Sequence, residues 1–162
     1  MKFSRLLSTA AVVSMAVASF STSAGTQTST MNVLASVVPK CTIAAIGDMD
    51  FGTYVQESGA VDTTTQIGVT CPLATAYVIS LGGLVGGNRS IANGANNLAY
   101  NIFSDAGRTA VWGSTVGVDT VAGTGDGTNI NHPVFGRVFD NAANRLIPPG
   151  AYTGVVTVTV TY

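Results

Sequence analysis

Cys41 and Cys71 are the only two cysteines of the chain. A catalytic dithiol calls for closer spacing, and a cysteine metal site for more ligands. An even count in a chain that begins like a secreted one points instead to a disulfide between them. Such a bridge closes about 31 residues and is worth on the order of 3 to 4 kcal/mol in the chain-entropy account. His132 is the only histidine, so an imidazole metal site has no second ligand of its kind and a Ser-His-Asp arrangement would have to be built around this one residue. Preceding Pro133 and following a glycine-rich stretch, it reads as an exposed turn residue. Asp48 and Asp50, two apart, would share a strand face, yet nothing nearby separates them into acid and base; they read as solvated turn or edge residues.

The run GTGDGTN at 123–129 has the look of a calcium or phosphate loop. Asp126 is its only acid, however, and neither a lysine nor a helix follows, so it reads as a surface loop. Asn88-Arg89-Ser90 fits the N-glycosylation pattern and marks an exposed loop. Trp112 and Tyr100 are the remaining candidates: together they could form a sugar-stacking platform, or they could be core. Leu98, Tyr100 and Ile102 share one strand parity, which favours core for Tyr100 and leaves Trp112 open. No catalytic, cofactor-binding or metal site is expected, and the chain is not read as an enzyme.

The elements around these residues are all of one kind. Lys2 and Arg5, an apolar run over 6–20 and the small residues Thr22-Ser23-Ala24 form a cleavable secretory signal, residues 1–24. The run is shorter than the roughly 20 apolar residues of a membrane span. The remainder, residues 25–162, is one domain in size, with five Lys or Arg against eight Asp or Glu. That balance excludes a nucleic-acid binder. Only 9% of the chain is charged while 46% is hydrophobic, so its surface must be neutral, which suits packing against other protein. Short β-branched and aromatic runs punctuated by Gly, Asn, Asp and Pro predict strands over 31–38, 49–55, 65–71, 76–81, 97–103, 109–112, 134–139 and 151–162. SDAGR at 104–108 predicts a hairpin turn, and Pro148-Pro149-Gly150 a turn launching the last strand. The stretches 82–96 and 113–131 look too glycine-rich for strand.

The last eight residues, VVTVTVTY, alternate perfectly: Val156, Val158, Val160 and Tyr162 fall on one face. An apolar strand face with no following segment to cover it needs an explanation. Several motifs supply one together. They are Cys41, the segment Asp50-Phe51-Gly52-Thr53-Tyr54, Val69-Thr70-Cys71, the run 97–105 (NLAYNIFSD), Val111-Trp112-Gly113, Val134-Phe135-Gly136-Arg137, Pro149-Gly150-Ala151-Tyr152 and the terminal VTVTY. In this order they resemble the spore coat protein U domain family, the fold of Csu-type subunits of archaic chaperone-usher pili, over nearly all of 31–162. The resemblance implies an all-β, immunoglobulin-like antiparallel sandwich that lacks its final strand. In that family a periplasmic chaperone fills the gap first and the N-terminal extension of a neighbouring subunit fills it in the fibre. Val156, Val158, Val160 and Tyr162 would then line the acceptor groove.

A donor should precede Cys41, and Met31, Val33, Ala35 and Val37 are four apolar residues at alternate positions there, as strand addition requires. Leu34 and Val38 blur the parity, and 31–38 could also be the domain's own first strand. The expected organisation is thus signal 1–24, donor extension 25–38 and pilin-like domain 39–162. The expected role is a structural pilus subunit, in shaft or adaptor position, secreted through the periplasm to the cell surface, with attachment and biofilm formation as the implied purpose. Its partners would be the chaperone, an outer-membrane usher and neighbouring subunits; no cofactor, small-molecule substrate or nucleic acid is expected. The alternatives are a carbohydrate-binding module built on Trp112 and a spore-coat component.

Overall fold

The computed structural model describes residues 24–44 and 47–162; apart from Ala24, the expected signal lies outside them. The chain divides into two units, Met1–Ser36 and Val37–Tyr162. In the first, residues 24–36 form neither strand nor helix and are exposed.

The second unit is built of antiparallel strands: β1 Thr42–Ile43, β2 Val61–Thr70, β3 Ala76–Leu81, β4 Arg89–Asn93, β5 Asn96–Phe103, β6 Val121–Thr124, β7 Asn129–Val138 and β8 Val158–Thr161, with one 3-10 turn at Asn144–Leu146. They make a five-stranded sheet in the order β1-β2-β7-β5-β4 and a three-stranded sheet in the order β6-β3-β8. Each inner face follows the period-two rule. Ile67 and Val69 on β2, Tyr77, Ile79 and Leu81 on β3, Leu98, Tyr100 and Ile102 on β5, and Val134 and Val138 on β7 are all buried in one core. Opposite faces carry polar partners, as in the cross-strand pair of Asp62 and Arg137, whose guanidinium donates to both carboxylate oxygens at 2.7 and 2.8 Å.

Cys41 and Cys71 are joined in a disulfide, as expected, tying the entry of β1 to the exit of β2. The 104–108 turn is also found: Arg108 N–H donates to Asp105 C=O, and the Asp105 carboxylate accepts from the Thr109 and Ala110 amides.

Trp112 is core. It is 1% exposed, and its indole N–H donates to Ile79 C=O at 3.0 Å while its backbone N–H donates to Ile102 C=O, so it links the two sheets. Arg89 is 2% exposed rather than on an exposed loop. Its guanidinium donates to the carbonyls of Gly82, Leu81 and Trp112 at 2.8, 2.9 and 2.6 Å, which is how a cation can be tolerated inside a sandwich. Burial nevertheless pulls its pKa below the usual arginine range. His132 is not in a turn: it lies within β7, half-buried, opposite Ile67, with Nε2 at 2.8 Å from the Tyr77 hydroxyl. Pro133 is accommodated because this part of β7 is flanked by β2 alone; β5 pairs only from Phe135 onward.

Five strand expectations also change. β4 and β6 lie inside the two glycine-rich stretches. In β6, Gly123 sits against the Tyr77 ring, where any Cβ would collide, so the glycine is required by packing and is compatible with strand. Residues 31–38 belong to no strand, and the sandwich opens instead with β1. Residues 49–55 form no ladder: Gly52 takes φ +62° and its N–H is captured by the Asp50 carboxylate at 2.8 Å, a local turn that breaks extended pairing. Of 109–112 only a single bridge, Val111 to Phe103, remains.

Candidate functional site

The segment that ends in β8 is held from one side only. Thr153 exchanges two backbone hydrogen bonds with Ala92 of β4, Gly82 N–H donates to Thr157 C=O, and Val158–Thr161 pairs with β3 from Leu81 back to Val78. The segment thus starts along the five-stranded sheet and finishes in the three-stranded one. Gly154 makes the crossing possible, since a Cβ there would meet Ile91 at 3.0 Å. Among the described residues no strand pairs with the other edge of 151–162.

Beside the start of that segment lies 49–56, which also has no ladder partner among the described residues. Met49 and Phe51 are seated over β7 at Gly136, where an added Cβ would lie 2.6 Å from the Met49 sulfur and 2.9 Å from the Phe51 ring. Phe51 meets Tyr100 edge-on at 5.5 Å. Between 49–56 and 147–152 lies a groove-like cavity of about 630 Å³, with Phe51, Tyr54, Ile91, Leu98, Val138, Ile147 and Tyr152 among its lining residues. Further along the terminal segment Val156, Val158 and Val160 are half-buried against the core, while the intervening Thr157, Thr159 and Thr161 are exposed. The apolar face of this terminal segment is therefore only half covered, beside an edge that no described strand occupies.

Tyr162, assigned to the groove with the three valines, is 54% exposed and borders a separate shallow hollow with Tyr77, Val78 and Gly123. Met31, Val33 and Val37 are 84, 83 and 93% exposed. Met49, Ile91 and Ile147 line the site without having been singled out in the sequence, and Phe51, Tyr54 and Tyr152 entered only as parts of the family motifs, not as site residues. One of them carried a usable signal, since Tyr152 continues the even-numbered parity of Val156, Val158 and Val160.

The groove end is fastened by a polar network. The Asp140 carboxylate accepts from the Tyr54 hydroxyl at 2.8 Å, the Glu57 and Gly59 amides at 3.2 and 3.0 Å, and Arg145 Nε and Nη2 at 2.9 Å each. Arg145 above all, with the other donors, holds the Asp140 carboxyl far below the usual carboxylate range. Burial and the adjacent Asp140 push the Tyr54 hydroxyl up. Gln56 Nε2 reaches across to the carbonyls of Ile147 and Asn144 at 2.8 and 3.3 Å. Asn144, 1% exposed, is itself anchored to β5 through the Ala99 N–H and C=O. What the described residues offer here is apolar surface for burial and, along 151–162, an unused backbone edge.

These features define a β-sandwich left open by one strand, an immunoglobulin-like fold lacking its final strand. The chain belongs to the Spore Coat Protein U domain family, whose model matches residues 27–159. Its fold is similar to that in the complex of the chaperone CsuC with the tip adhesion subunit CsuE from archaic chaperone-usher Csu pili of Acinetobacter baumannii. That match has a TM-score of 0.56 and 27% identity over 78% of this chain, which spans 40% of the matched chain. The P pilus rod subunit PapA shares the fold at TM-score 0.56 and 21% identity, over 75% of this chain and 98% of PapA. No curated protein matches the sequence.

Proposed function

We propose that this chain is a structural subunit of a chaperone-usher surface pilus, polymerised by donor-strand exchange. Met31, Val33, Ala35 and Val37 of one copy insert into the groove of another, alongside Val156, Val158 and Val160. The observation that carries this reading is the free edge of 151–162, which no strand among the described residues pairs with, together with the apolar-lined cavity at its start. Strand addition satisfies both needs at once, because the incoming backbone completes the ladder while alternate side chains cover the core. The exposed alternation ahead of Cys41 is the complementary half. A periplasmic chaperone would shield the groove before assembly and an outer-membrane usher would catalyse the exchange; attachment and biofilm formation follow from a surface fibre. The carbohydrate-binding reading loses its platform, since Trp112 is inside the core.

The test is secretion from the native host of the parent chain, of a variant deleted for residues 25–38, and of Val33→Asp, each scored by electron microscopy for surface fibres. Both variants should leave the groove intact yet fail to extend a fibre. Fibres as abundant as the parent's from both would end the donor assignment.

A further inference from the structure

The groove presents a mechanical problem. An incoming strand needs its two walls separated by about two strand spacings of 4.7 to 4.9 Å, whereas the apolar lining of an empty groove favours drawing the walls together to exclude water. One wall, residues 49–56, cannot resist by itself, because it belongs to no ladder. Its fixed points at the cavity end are polar: Tyr54, Glu57 and Gly59 on Asp140, and Gln56 on the carbonyls of Ile147 and Asn144. Asp140 lies two residues past the end of β7, and Arg145 closes a bidentate pair with it from the 3-10 turn that Asn144 fastens to β5. Tyr54 is at once a lining residue of the cavity and a donor in this network.

Resting on the reading of the groove as an acceptor, we propose that Asp140 is a positioning residue that holds the groove mouth open to strand width, with Tyr54 as the arm through which it does so and Gln56 as a separate tie from the same wall to the Ile147 and Asn144 carbonyls. Closing the mouth would pull the Tyr54 hydroxyl off a carboxylate that is already shared with Arg145 and two backbone amides. Hydrogen bonds to an ionised acceptor are the costly ones to break. The empty groove is thereby kept ready for a strand, and the ordering of this wall is accomplished on folding of the subunit instead of at binding.

The experiment uses the full chain carrying Val33→Asp, so that its own extension is disabled as a donor, and a fluorescent peptide of residues 27–38 as the probe. Tyr54→Phe, Gln56→Ala and Asp140→Asn are added singly, with Arg137→Gln as a control. The control breaks an ion pair on the outer sheet face, away from the groove. Tyr54→Phe should weaken peptide binding about 3- to 10-fold, the range for one lost hydrogen bond, with Asp140→Asn weaker still. Arg137→Gln should bind as the parent does, even where its melting temperature falls by as much. Unchanged affinity in Tyr54→Phe overturns the role of Asp140, whatever Gln56→Ala does and whether or not Asp140→Asn folds. A parent acceptor that fails to bind the peptide at all refutes the groove reading itself, and this inference with it.

Discussion

The donor assignment makes a prediction about parity that hydrophobicity alone does not. Val33 and Leu34 are neighbours, 83 and 92% exposed, so replacing either by aspartate should hardly disturb the free chain. On insertion they part company, because a strand sends adjacent side chains to opposite faces. If Met31, Val33 and Val37 pass from this exposure to full burial, each contributes roughly 1.5 to 3 kcal/mol, or about 5 to 9 kcal/mol together, with the backbone ladder in addition. Val33→Asp forfeits one of those contributions and forces a carboxylate into an apolar site, for a combined loss of about 3 kcal/mol or more, at least 100-fold in affinity. Leu34→Asp should cost less than about 1 kcal/mol, as for a typical surface change. The assay is competition by unlabelled 27–38 peptides bearing each substitution against the labelled parent on the full-chain acceptor. Equal weakening by the two, or a stronger effect from Leu34→Asp, would refute the register and with it the choice of Met31, Val33, Ala35 and Val37.

Val160→Asp, on the opposite wall, should leave a carboxylate facing the core in the occupied groove and abolish accumulation of assembled fibre, as measured by surface immunolabelling. Arg89→Met strips three carbonyls of their buried donor and should lower stability by about 3 kcal/mol or more in chemical denaturation; a loss under about 1 kcal/mol would show that water replaces the guanidinium. Removing the disulfide with Cys41→Ala and Cys71→Ala together should cost about 3 to 4 kcal/mol in the same assay. Asp62, through the Arg137 hydrogen bonds first, and Asp140, through Arg145 first, both have pKa values below the unfolded range. Their contribution to stability is therefore complete above the unfolded carboxylate value of about 3.9 and is lost as pH falls below it. The melting temperature should drop between pH 5 and pH 2, and drop less in Asp140→Asn; an equal drop in parent and variant would deny Asp140 a part in it.

The strands that bury one face were legible because alternation is a local property. Ile79 and Leu81, Leu98, Tyr100 and Ile102, and Val156, Val158 and Val160 announce their inward face whatever lies across from them. The disulfide was legible from compartment and count, and the missing strand from an apolar terminal strand together with the family likeness. Glycine and proline misled where tertiary contacts reverse their local meaning. Gly123 is a strand residue because the Tyr77 ring occupies its side-chain space, and Pro133 is tolerated because β5 has already left that flank of β7. Arg89 was read as exposed because Asn88-Arg89-Ser90 fits a surface-loop pattern; only the fold brings the carbonyls of Leu81, Gly82 and Trp112 to one point and makes the interior acceptable for its charge. Trp112 could not be placed from its neighbours, since its burial depends on Ile79 and Ile102 of opposite sheets. The second groove wall was the least legible part. Residues 49–56 have no ladder and are held by Gly136, Asp140, Asn144 and Ile147, some 80 to 90 positions away along the chain. Sequence alternation thus determined which faces seek burial. Which of them stay uncovered, and what keeps them apart, was decided by long-range contacts that no local pattern encodes.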